Sequence, residues 1–489
     1  MTQCKSTGSE KQGEFTLDLG IQKPIEGSFD GGRISSDGGL LLLRKADEEL
    51  GLTDMGALCF SDDRRPDLVV HTVVNMFRQR VYAAAAGYED CNDAGRLRRD
   101  PMHCLASGHG LKIALASQPT LSRWENSVDE VTLKLLQKSL VLAYIRHMRR
   151  RNKRPKRIHL SIDTTVDEAH GNQQRVMFNG FYGLYCYTPL FVFTDDGFPL
   201  AALLRAGNAG PFEGAIRTLK EIVKELRLAW PGVRILLTAD AGFATPELYS
   251  LCEEHSVDYL ICIKGNDALD NQSAECVQKA KELYDEVGGP TEALYHYGRL
   301  TTKEKERIAR QRREHMRFAS KDEGRMQELQ ESEEKFYVRK FCEFSYQARG
   351  WPHQRRIIGR VDYSMVGPDV RYVVTNLSGG RPFKLYQMYC KRAQCENWIK
   401  DLKNYLKCDR TSCQEFDANQ LRLLIYTYSY ILLWIIGRKA GLQHATVVTI
   451  QLHLLKIGVL VKETARRIVL KMASNHPWQD EFLLAWNSS

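Results

Sequence analysis

Two aspartates lie at the ends of short apolar segments that have the composition of β-strands. Asp163 ends the segment IHLSID, and Asp240 ends the segment VRILLTAD. A carboxylate at a strand end lies where the chain leaves the sheet, which is the usual place for a site in a sheet protein. Two such carboxylates in neighbouring strands can hold Mg²⁺, which prefers one or two carboxylates together with water and phosphate oxygens. The pair therefore predicts a magnesium site at one edge of a sheet.

A third acid is predicted on a helix, in the stretch YCKRAQCENWIKDLKNYLKCDR that starts at Tyr389. Spacings of three and four residues place Tyr389, Arg392, Glu396, Lys400 and Lys403 on one face of that helix. This face offers one acid beside cations that suit the phosphates of a nucleic acid. Two metal ions held by three carboxylates are a known arrangement for in-line attack at phosphorus. The three acids together predict metal-dependent phosphodiester chemistry.

Each acid also has a structural interpretation that the residues alone leave open. Asp163 can be an ordinary strand-end aspartate, and Asp167 and Glu168 lie close enough to it to be alternatives. Glu396 can form an i to i+4 helix salt bridge with Lys400. On the residues alone, both interpretations stay open.

Helices are predicted to dominate the chain before the first of these strands. Apolar residues recur at helical spacing over 34–52, 68–86 and 121–148. The region ends in RHMRRRNKRPKR at 146–157, which contains a proline and cannot be one buried helix. This basic segment is either a solvated boundary or a contact with the DNA backbone, since clustered Lys and Arg bind phosphate without reading bases.

After this segment the pattern changes to alternating strands and helices. A hairpin is predicted over 185–204 with its turn at Asp195-Asp196-Gly197, and helices are predicted at 213–230 and 245–256. A further strand is predicted at 258–265. These elements indicate a mixed α/β sheet with helices packed on its faces.

The region that follows is strongly charged before strands return. Residues 266–334 read as a solvated helix face or an exposed insertion. Strand-like runs then appear at 335–347, 355–365 and 370–377. The apolar stretch 423–437 is shorter than the roughly twenty residues that span a bilayer, so it predicts a buried core helix.

Composition narrows the function classes. The chain has 489 residues, 43% of them apolar, which permits two or three domains and excludes wholesale disorder. A net charge of +9 and a pI near 8.8 favour an anionic partner. Thirteen scattered cysteines without a C-x-x-C pair indicate reduced thiols in a cytosolic protein, and Cys390, Cys395, Cys408 and Cys413 fit no common zinc spacing. With no secretory signal and no phosphate-binding G-x-x-x-x-G-K-[ST] loop, we expect no membrane partner and no ATP.

Several of these motifs resemble a known family. Tyr389-x2-Arg392-x3-Glu396-x6-Lys403 resembles the Y-R-E-K signature of DDE transposases of bacterial insertion sequences. LSIDTT at Asp163 and LLTADAGF at Asp240 resemble the strands that carry the first two acids of that class. The wider likeness is to the piggyBac-related insertion-sequence family numbered thirteen-eighty, through the motifs ISSDGGLLLLR, GYEDCNDAGRLRRDP, LRAGNAG and ADAGFATPELY. The resemblance extends from about residue 29 to residue 438.

The resemblance implies an α/β fold with a ribonuclease-H-like mixed-sheet core. A β-rich insertion interrupts this core, and a mainly helical N-terminal region precedes it. The implied domains are a helical region for DNA-end binding and dimerisation at 1–155, the core at 156–265 and 378–440, the insertion at 266–377, and a C-terminal helical tail at 441–489. In support, the gap from Asp240 to Glu396 is about twice that from Asp163 to Asp240, long enough to contain an insertion.

The resemblance also assigns roles to residues. Asp163, Asp240 and Glu396 become the catalytic acids and the ligands of two Mg²⁺ ions, for which Mn²⁺ substitutes. Tyr389, Arg392 and Lys403 are implied to contact DNA phosphates near the cleaved end, and Lys400 lies on the same predicted helix face. Because some relatives stack an aromatic residue on a flipped base, Trp351 in the insertion and Trp398 beside Glu396 are candidates for that role.

The function that follows is DNA transposition. We expect cleavage at the terminal inverted repeats of the element and strand transfer into target DNA by cut-and-paste, with a hairpin intermediate in some relatives. The expected partners are double-stranded transposon ends, target DNA and a second copy of the chain in a homodimer. The expected location is the bacterial cytoplasm, at the nucleoid when DNA is bound. Two alternatives stay open: a domesticated relative that binds DNA without catalysis, and a metal-dependent nuclease that cuts without joining.

Overall fold

The computed structural model describes residues 14–17, 19–20, 22–210, 212–287, 337–364 and 367–488. The chain forms two compact units, described separately below. The helical unit comprises Met1–Ser139 and Lys400–Ser489, and the sheet unit comprises Leu140–Ile399. Most of the predicted charged region, including KEKERIARQRREHMR at 303–317, lies outside the described residues.

The described helices, leaving aside single turns of other helix types, are numbered in chain order. They are α1 Leu40–Leu50, α2 Leu52–Ala57, α3 Val73–Ala85, α4 Ala94–Leu97, α5 Pro101–Ala106, α6 Gln118–Glu125, α7 Glu130–Arg150, α8 Ala215–Ala229, α9 Pro246–Glu254, α10 Asp267–Val287, α11 Pro382–Cys390, α12 Ala393–Asn404, α13 Phe416–Lys439, α14 Val447–Ile450 and α15 Gln479–Asn487.

The described strands are numbered in the same way. They are β1 Glu14–Leu17, β2 Ile25–Ser28, β3 Ile34–Ser35, β4 Arg157–Thr164, β5 Asp167–Glu168, β6 Met177–Asn179, β7 Leu184–Tyr187, β8 Leu190–Thr194, β9 Pro199–Leu203, β10 Arg234–Ala239, β11 Asp258–Ile263, β12 Tyr337–Tyr346, β13 Arg355–Ser364, β14 Gly367–Thr375, β15 Val459–Glu463 and β16 Ile468–Met472.

One mixed sheet organises the sheet unit. Within the described residues it has eight strands in the order β12-β13-β14-β11-β10-β4-β8-β9. Strands β4, β10 and β11 run parallel to one another, while β8 and β9 and the three strands from β12 to β14 join by antiparallel pairing. Strands β4 and β10 are central in the sheet and buried along nearly their whole length. Strand β10 is largely apolar, whereas β4 alternates apolar residues with polar ones, and its buried His159 and Ser161 both hydrogen-bond Thr238 of β10.

The helices of this unit are amphipathic or contribute apolar patches. Helix α8 buries Leu219, Ile222, Val223 and Leu226, a spacing that makes one apolar stripe along a helix. On α11, Leu385 and Tyr386 enter a core cluster with residues of β10, β11, β13 and β14. These contacts fix α11 on the sheet, so they also fix the position at which the following chain segment begins.

The expected mixed α/β architecture is observed, but the region expected to be a separate insertion is not separate in the sheet. Strands β12, β13 and β14 continue the main sheet, since β14 pairs antiparallel with β11 from Leu260↔Thr375 to Ile263↔Tyr372. Helix α10 packs on them through Cys276 and Ala280. Sequence reasoning separated these strands from the core because the charged region stands between them along the chain.

A buried histidine predicts how stability depends on pH. His159 on β4 is 6% exposed and its Nε2 is 3.0 Å from Oγ1 of Thr238 on β10. Burial, with Lys391 and Arg157 adding like charge, lowers the pKa of His159 to about 4. The unfolded chain takes up this proton near pH 6.5, so the contribution is full above pH 6.5 and is lost as pH falls toward 4.

We therefore expect the free energy of unfolding to fall by roughly 3 kcal/mol from this group between pH 6.5 and pH 4. Urea unfolding at a series of pH values would measure it, with His159→Gln as the comparison. The variant should lack this part of the pH dependence. Equal slopes in the two proteins would show that the histidine is not held neutral.

The helical unit is built around α13. This helix is long and apolar enough to cross a membrane by length and composition, yet its most apolar window is entirely buried inside the protein. It packs on α3, and Phe77 of α3 meets Tyr428 edge-on at 5.0 Å between ring centroids. The predicted buried core helix over 423–437 is confirmed.

The chain after α13 is not wholly helical. Strands β15 and β16 form an antiparallel hairpin, and β15 also pairs with β3 near the start of the described chain. This differs from the predicted helical tail. The pairing joins segments more than four hundred residues apart, which local periodicity does not reveal.

A buried ion triad links three helices of this unit. Arg80 on α3 donates to Oε1 of Glu125 on α6 at 2.6 Å, and Arg422 on α13 donates to Oε2 at 2.9 Å. The side chains of Arg80 and Glu125 are 1% and 0% exposed. Burial alone would raise the pKa of Glu125, but the two arginines outweigh it and the pKa is lowered.

Glu125→Gln should lower the free energy of unfolding by about 3–5 kcal/mol, because two buried guanidinium groups lose their counter-charge. Thermal or urea unfolding would measure this change. Glu130→Gln removes a carboxylate from an exposed pair with Lys134 and should cost less than about 1 kcal/mol. Similar losses in the two variants would contradict the account.

Candidate active site

The two predicted aspartates lie side by side at one edge of the main sheet. Strands β4 and β10 are parallel neighbours with Thr238 opposite Ser161. Continuing that register by two residues places Asp240 opposite Asp163, at about the 5 Å spacing of adjacent strands. Asp163 is the penultimate residue of β4, and Asp240 directly follows β10. The strand ends therefore bring the two carboxylates together.

Local hydrogen bonds orient both aspartates. Oδ1 of Asp163 accepts from the backbone N–H of Thr164 at 2.9 Å. Oδ1 of Asp240 accepts from the backbone N–H of Gly242 at 3.0 Å and caps the short helical turn Ala241–Phe243. In each case the second carboxylate oxygen is the one left for other partners.

Arg392 joins the first aspartate to the helix glutamate. Its Nη1 donates to Oδ2 of Asp163 at 2.9 Å, and its Nη2 donates to Oε1 of Glu396 at 3.0 Å. The side chains of Asp163 and Arg392 are 10% and 15% exposed, whereas that of Glu396 is 51% exposed. One cation thus bridges a buried acid and an accessible acid.

The pKa of Asp163 shows that the three acids share one electrostatic environment. Burial raises the pKa of Asp163 to about 6; Arg392 opposes this change, while Asp240 and Glu396 add to it by like charge. For Arg392, burial alone would lower the pKa, but Asp163, Tyr389, Asp240 and Glu396 together raise it. Such a group of perturbed ionisable side chains is typical of a functional site.

The helix that carries the third acid is not continuous. The prediction of one helix face from Tyr389 to Lys403 is wrong, because α11 ends at Cys390 and α12 begins at Ala393. The backbone N–H groups of Lys391 and Arg392 donate to residues three positions earlier, which makes a turn between the helices. Such a turn preserves spacings of three and four residues, so periodicity could not detect it.

Trp398 anchors α12 to the hairpin of β8 and β9. Its ring lies 5.4 Å from that of Phe193, and it covers Gly197 in the predicted turn, which has a φ of +88°. A Cβ at Gly197 would lie 2.7 Å from Cε2 of the indole. Trp398 therefore positions the helix on which Glu396 lies, and its proposed contact with a base stays a prediction.

Gly197→Ala should lower the free energy of unfolding by about 1–3 kcal/mol, because the methyl group meets the indole and the backbone is left-handed. We also expect weaker cleavage, since α12 must shift. Gly180→Ala is the matched control, because its Cβ would meet nothing within 4 Å. Chemical denaturation measures the free energy of unfolding of both variants. A Gly197→Ala protein as stable as the wild type would rule out this packing role.

Tyr389 lies between the core and the acids. It is partly buried against the cluster that contains Tyr386, with ring centroids 5.6 Å apart. Burial raises its pKa, and Cys262 and Arg392 are among its electrostatic neighbours. Tyr389 therefore lies within electrostatic reach of Arg392, and its contact with a DNA phosphate stays a prediction.

Trp351 is not brought to the acids. It packs against Tyr249 and Tyr346 at 5.4 and 5.7 Å between ring centroids, and the guanidinium of Arg355 lies over it. Arg355 donates to the hydroxyl of Tyr259 at the start of β11, whereas Asp163 lies near the far end of β4 and Asp240 follows β10. The stacking of Trp351 on a DNA base stays a prediction, and the position of this side chain does not support it.

Lys400 and Lys403 lie on α12, after Glu396. Lys400 is exposed and Lys403 is partly exposed. Both residues belong to the helical unit. Their contact with phosphates stays a prediction.

Comparison with known families decides which class of protein this geometry belongs to. The family model described as "Transposase DDE domain group 1" matches residues 17–488, which is nearly the whole chain. The chain belongs to the DDE transposase family. The predicted membership is confirmed at this level.

Two other comparisons accompany this result. The solved structure of the piggyBac transposase synaptic complex with hairpin DNA is similar over 86% of this chain and 80% of that chain, with 12% identity and a TM-score of 0.37. No curated protein matches this DDE transposase chain at a significant level.

The carboxylates of this DDE transposase have the chemistry of a divalent-metal site but are not arranged as one. Their oxygens are the hard donors that Mg²⁺ and Mn²⁺ prefer. Within the described ranges, no group of three or more His, Cys, Asp or Glu side chains is placed to hold a metal ion. Instead, the guanidinium of Arg392 lies between Asp163 and Glu396 and supplies the positive charge there. When the Arg392 side chain moves away, the carboxylates of Asp163 and Glu396 become available as metal ligands.

Sequence reasoning missed one aromatic residue at the site. Burial raises the pKa of Tyr182, and the negative charges of Asp163 and Asp240 add to that rise. Tyr182 is 40% exposed and meets Phe181, which is 88% exposed, edge-on at 5.0 Å. The signal was present in the aromatic and glycine-rich run FNGFYGLY, which contains the turn from β6 to β7.

Proposed function

We propose that this DDE transposase cleaves DNA at the terminal inverted repeats of its own insertion sequence and joins the freed 3′ ends to target DNA. The observation that carries the proposal is the convergence of Asp163, Asp240 and Glu396, with Arg392 bridging two of them. Family membership over residues 17–488 supports the same activity.

The order of strands supports a ribonuclease-H-like core. Strands β4, β8 and β9 form an antiparallel meander, and β10 and β11 follow in parallel on the other side of β4. Helix α8 connects β9 to β10, and α9 connects β10 to β11. The first two acids then fall at the ends of the two central strands, and α12 adds the third.

Each residue has a distinct role in this proposal. Asp163, Asp240 and Glu396 would hold two Mg²⁺ ions, or Mn²⁺ as a substitute. Bound ions would activate the attacking oxygen and stabilise the departing one. In hydrolysis, water attacks phosphorus and the P–O3′ bond breaks, leaving a 3′-OH and a 5′-phosphate. In joining, that 3′-OH attacks a target phosphate and displaces the target's own 3′ oxygen.

The neighbouring side chains are proposed to hold the DNA. When Arg392 leaves the carboxylates, its planar fork suits a phosphate close to the cleaved bond. Tyr389 lies beside it, and Lys400 and Lys403 extend the basic character of α12. The exposed rings of Tyr182 and Phe181 are further candidates for stacking on an unpaired base, since Asp163 and Asp240 act electrostatically on Tyr182.

The remaining parts of the proposal concern assembly. The helical unit recognises the DNA ends and mediates a homodimer in which paired ends are processed by cut-and-paste, with or without a hairpin intermediate. No ATP is needed, since transesterification conserves the number of phosphodiester bonds. The protein acts in the bacterial cytoplasm, at the nucleoid.

One assay separates this function from its rivals. DNA that carries both flanks of the native reading frame is incubated with the protein and target plasmid in Mg²⁺ or in EDTA. The proposal predicts Mg²⁺-dependent cuts at defined ends, followed by covalent joining. Binding without cutting would indicate a non-catalytic relative, and cutting without joining would indicate a nuclease.

A further inference from the structure

A second concave surface lies in the sheet unit, formed by two chain segments. The end of α7 and the turn that follows it provide one wall, and the connection from α8 to β10 provides the other. The groove has a volume of about 1270 Å³. Its cations are Arg149, Lys153, Arg154, Lys156, Arg157 and Arg234, and we call this surface the basic groove.

The charge of the basic groove is largely uncompensated. All six cations are exposed, and within the described residues none of them forms an ion pair with a carboxylate. Asp258 at the start of β11 lies close enough to Arg157 and Arg234 for both to oppose the rise that burial causes in its pKa. Arg149 also lies in the last turn of α7, where a cation stabilises the helix dipole. The helix dipole does not account for Lys153, which lies beyond the end of α7.

The basic groove and the candidate active site lie at opposite ends of the same two strands. Arg157 starts β4, which carries Asp163 near its end, and Arg234 starts β10, which Asp240 follows. Arg157 and Arg234 are directly paired in the register of these strands. Six residues of extended strand separate groove from acids, a distance of about 20 Å. The body of the sheet stands between them.

We propose that the basic groove binds the sugar-phosphate backbone of a second DNA duplex, distinct from the segment whose phosphate enters the active site of the same subunit. Clustered cations without carboxylate partners bind the DNA backbone and read no sequence. The groove opens at the end of these strands opposite the acids, about 20 Å away, so we assign to it a duplex other than the one that is cut. The inference rests on the proposed function, because a joining reaction must hold more than one duplex.

The test removes groove charge without disturbing the fold. Lys153, Arg154 and Lys156 are changed together to Gln, since they are exposed and lie in an irregular segment. The matched control changes three exposed cations of α8, Arg217, Lys220 and Lys224, to Gln. Both proteins lose the same formal charge.

Binding of a 30-base-pair duplex is measured across salt concentrations by fluorescence anisotropy. Because each lost phosphate contact lowers the salt slope by about 0.9, the groove variant should lose about 2–3 units of slope and the control less than about 1. In a second measurement, protein on an immobilised end duplex captures a labelled second duplex. We expect the groove variant to capture at least about tenfold less, with end cleavage in Mg²⁺ unchanged.

The outcomes separate this inference from the proposed function. Equal salt slopes and equal capture in the two variants would overturn the groove as a DNA site, even if the wild type cuts and joins. Loss of end cleavage in the groove variant would also overturn it, since the groove would then serve the cut segment. A wild type that never cuts, with capture still dependent on the groove, would refute the proposed function and uphold the groove.

Discussion

Asp240→Ala is expected to lower the rate of end cleavage by at least about 1,000-fold while end binding stays within about twofold. The carboxylate is a proposed metal ligand, and losing an interaction worth roughly 4 kcal/mol in the transition state has this effect on rate. Binding persists because the phosphate contacts come from other residues. Single-turnover cleavage in Mg²⁺ and an electrophoretic binding assay measure the two quantities.

The structure supplies a control for this variant. Glu247 is an exposed acid in the first turn of α9, close to Asp240 along the chain. Glu247→Ala should cleave at a near-normal rate, since its carboxylate takes no part in the site. If Asp240→Ala lost binding as well as cleavage, the role of the aspartate would be structural. Its side chain caps the turn Ala241–Phe243, which is the structural role in question. Asp240→Asn keeps the capping oxygen, so this variant separates the two roles.

Arg392→Gln is expected to have opposite effects on metal binding and on cleavage. Without DNA, the affinity for Mn²⁺ should rise about tenfold or more, because a cation that holds Asp163 and Glu396 is removed, and tenfold corresponds to about 1.4 kcal/mol. Cleavage should nevertheless fall, since the proposed phosphate contact is lost. Mn²⁺ titration followed by electron paramagnetic resonance and single-turnover cleavage give the two readouts.

Arg381→Gln is the comparison for loss of one positive charge, because Arg381 is exposed just before α11. It should change Mn²⁺ affinity by less than about twofold. Unchanged or weaker Mn²⁺ binding in Arg392→Gln would show that the guanidinium does not compete with metal. The bridge would then be a permanent part of the site.

The strand-end aspartates could be predicted because the signal is local and the geometry is general. Each apolar run ends in Asp, and parallel strands that are neighbours end at the same edge of a sheet. The register from Arg157↔Arg234 to Ser161↔Thr238 then brings Asp163 and Asp240 together. The buried helix over 423–437 was predictable for a similar reason, since so apolar a stretch is stable away from water and the interior of the helical unit provides that environment.

Other features depend on contacts that the sequence does not encode locally. The bridge from Arg392 to Asp163 joins residues far apart in the chain, so helical spacing indicated only its partner Glu396. Trp398 looked available for DNA, but Gly197 opposite it leaves room for the indole, and the ring packs there. The place of β14 beside β11 is likewise a long-range pairing.

The measurement that tests the central claim most directly asks whether cutting and joining use one site. Wild type and Glu396→Ala are each given uncut ends and ends already cut to a free 3′-OH, with target plasmid and Mg²⁺. If Asp163, Asp240 and Glu396 act together, the variant fails both to cut the first substrate and to join the second, while the wild type does both. Normal joining of the pre-cut ends by Glu396→Ala would contradict a single shared site.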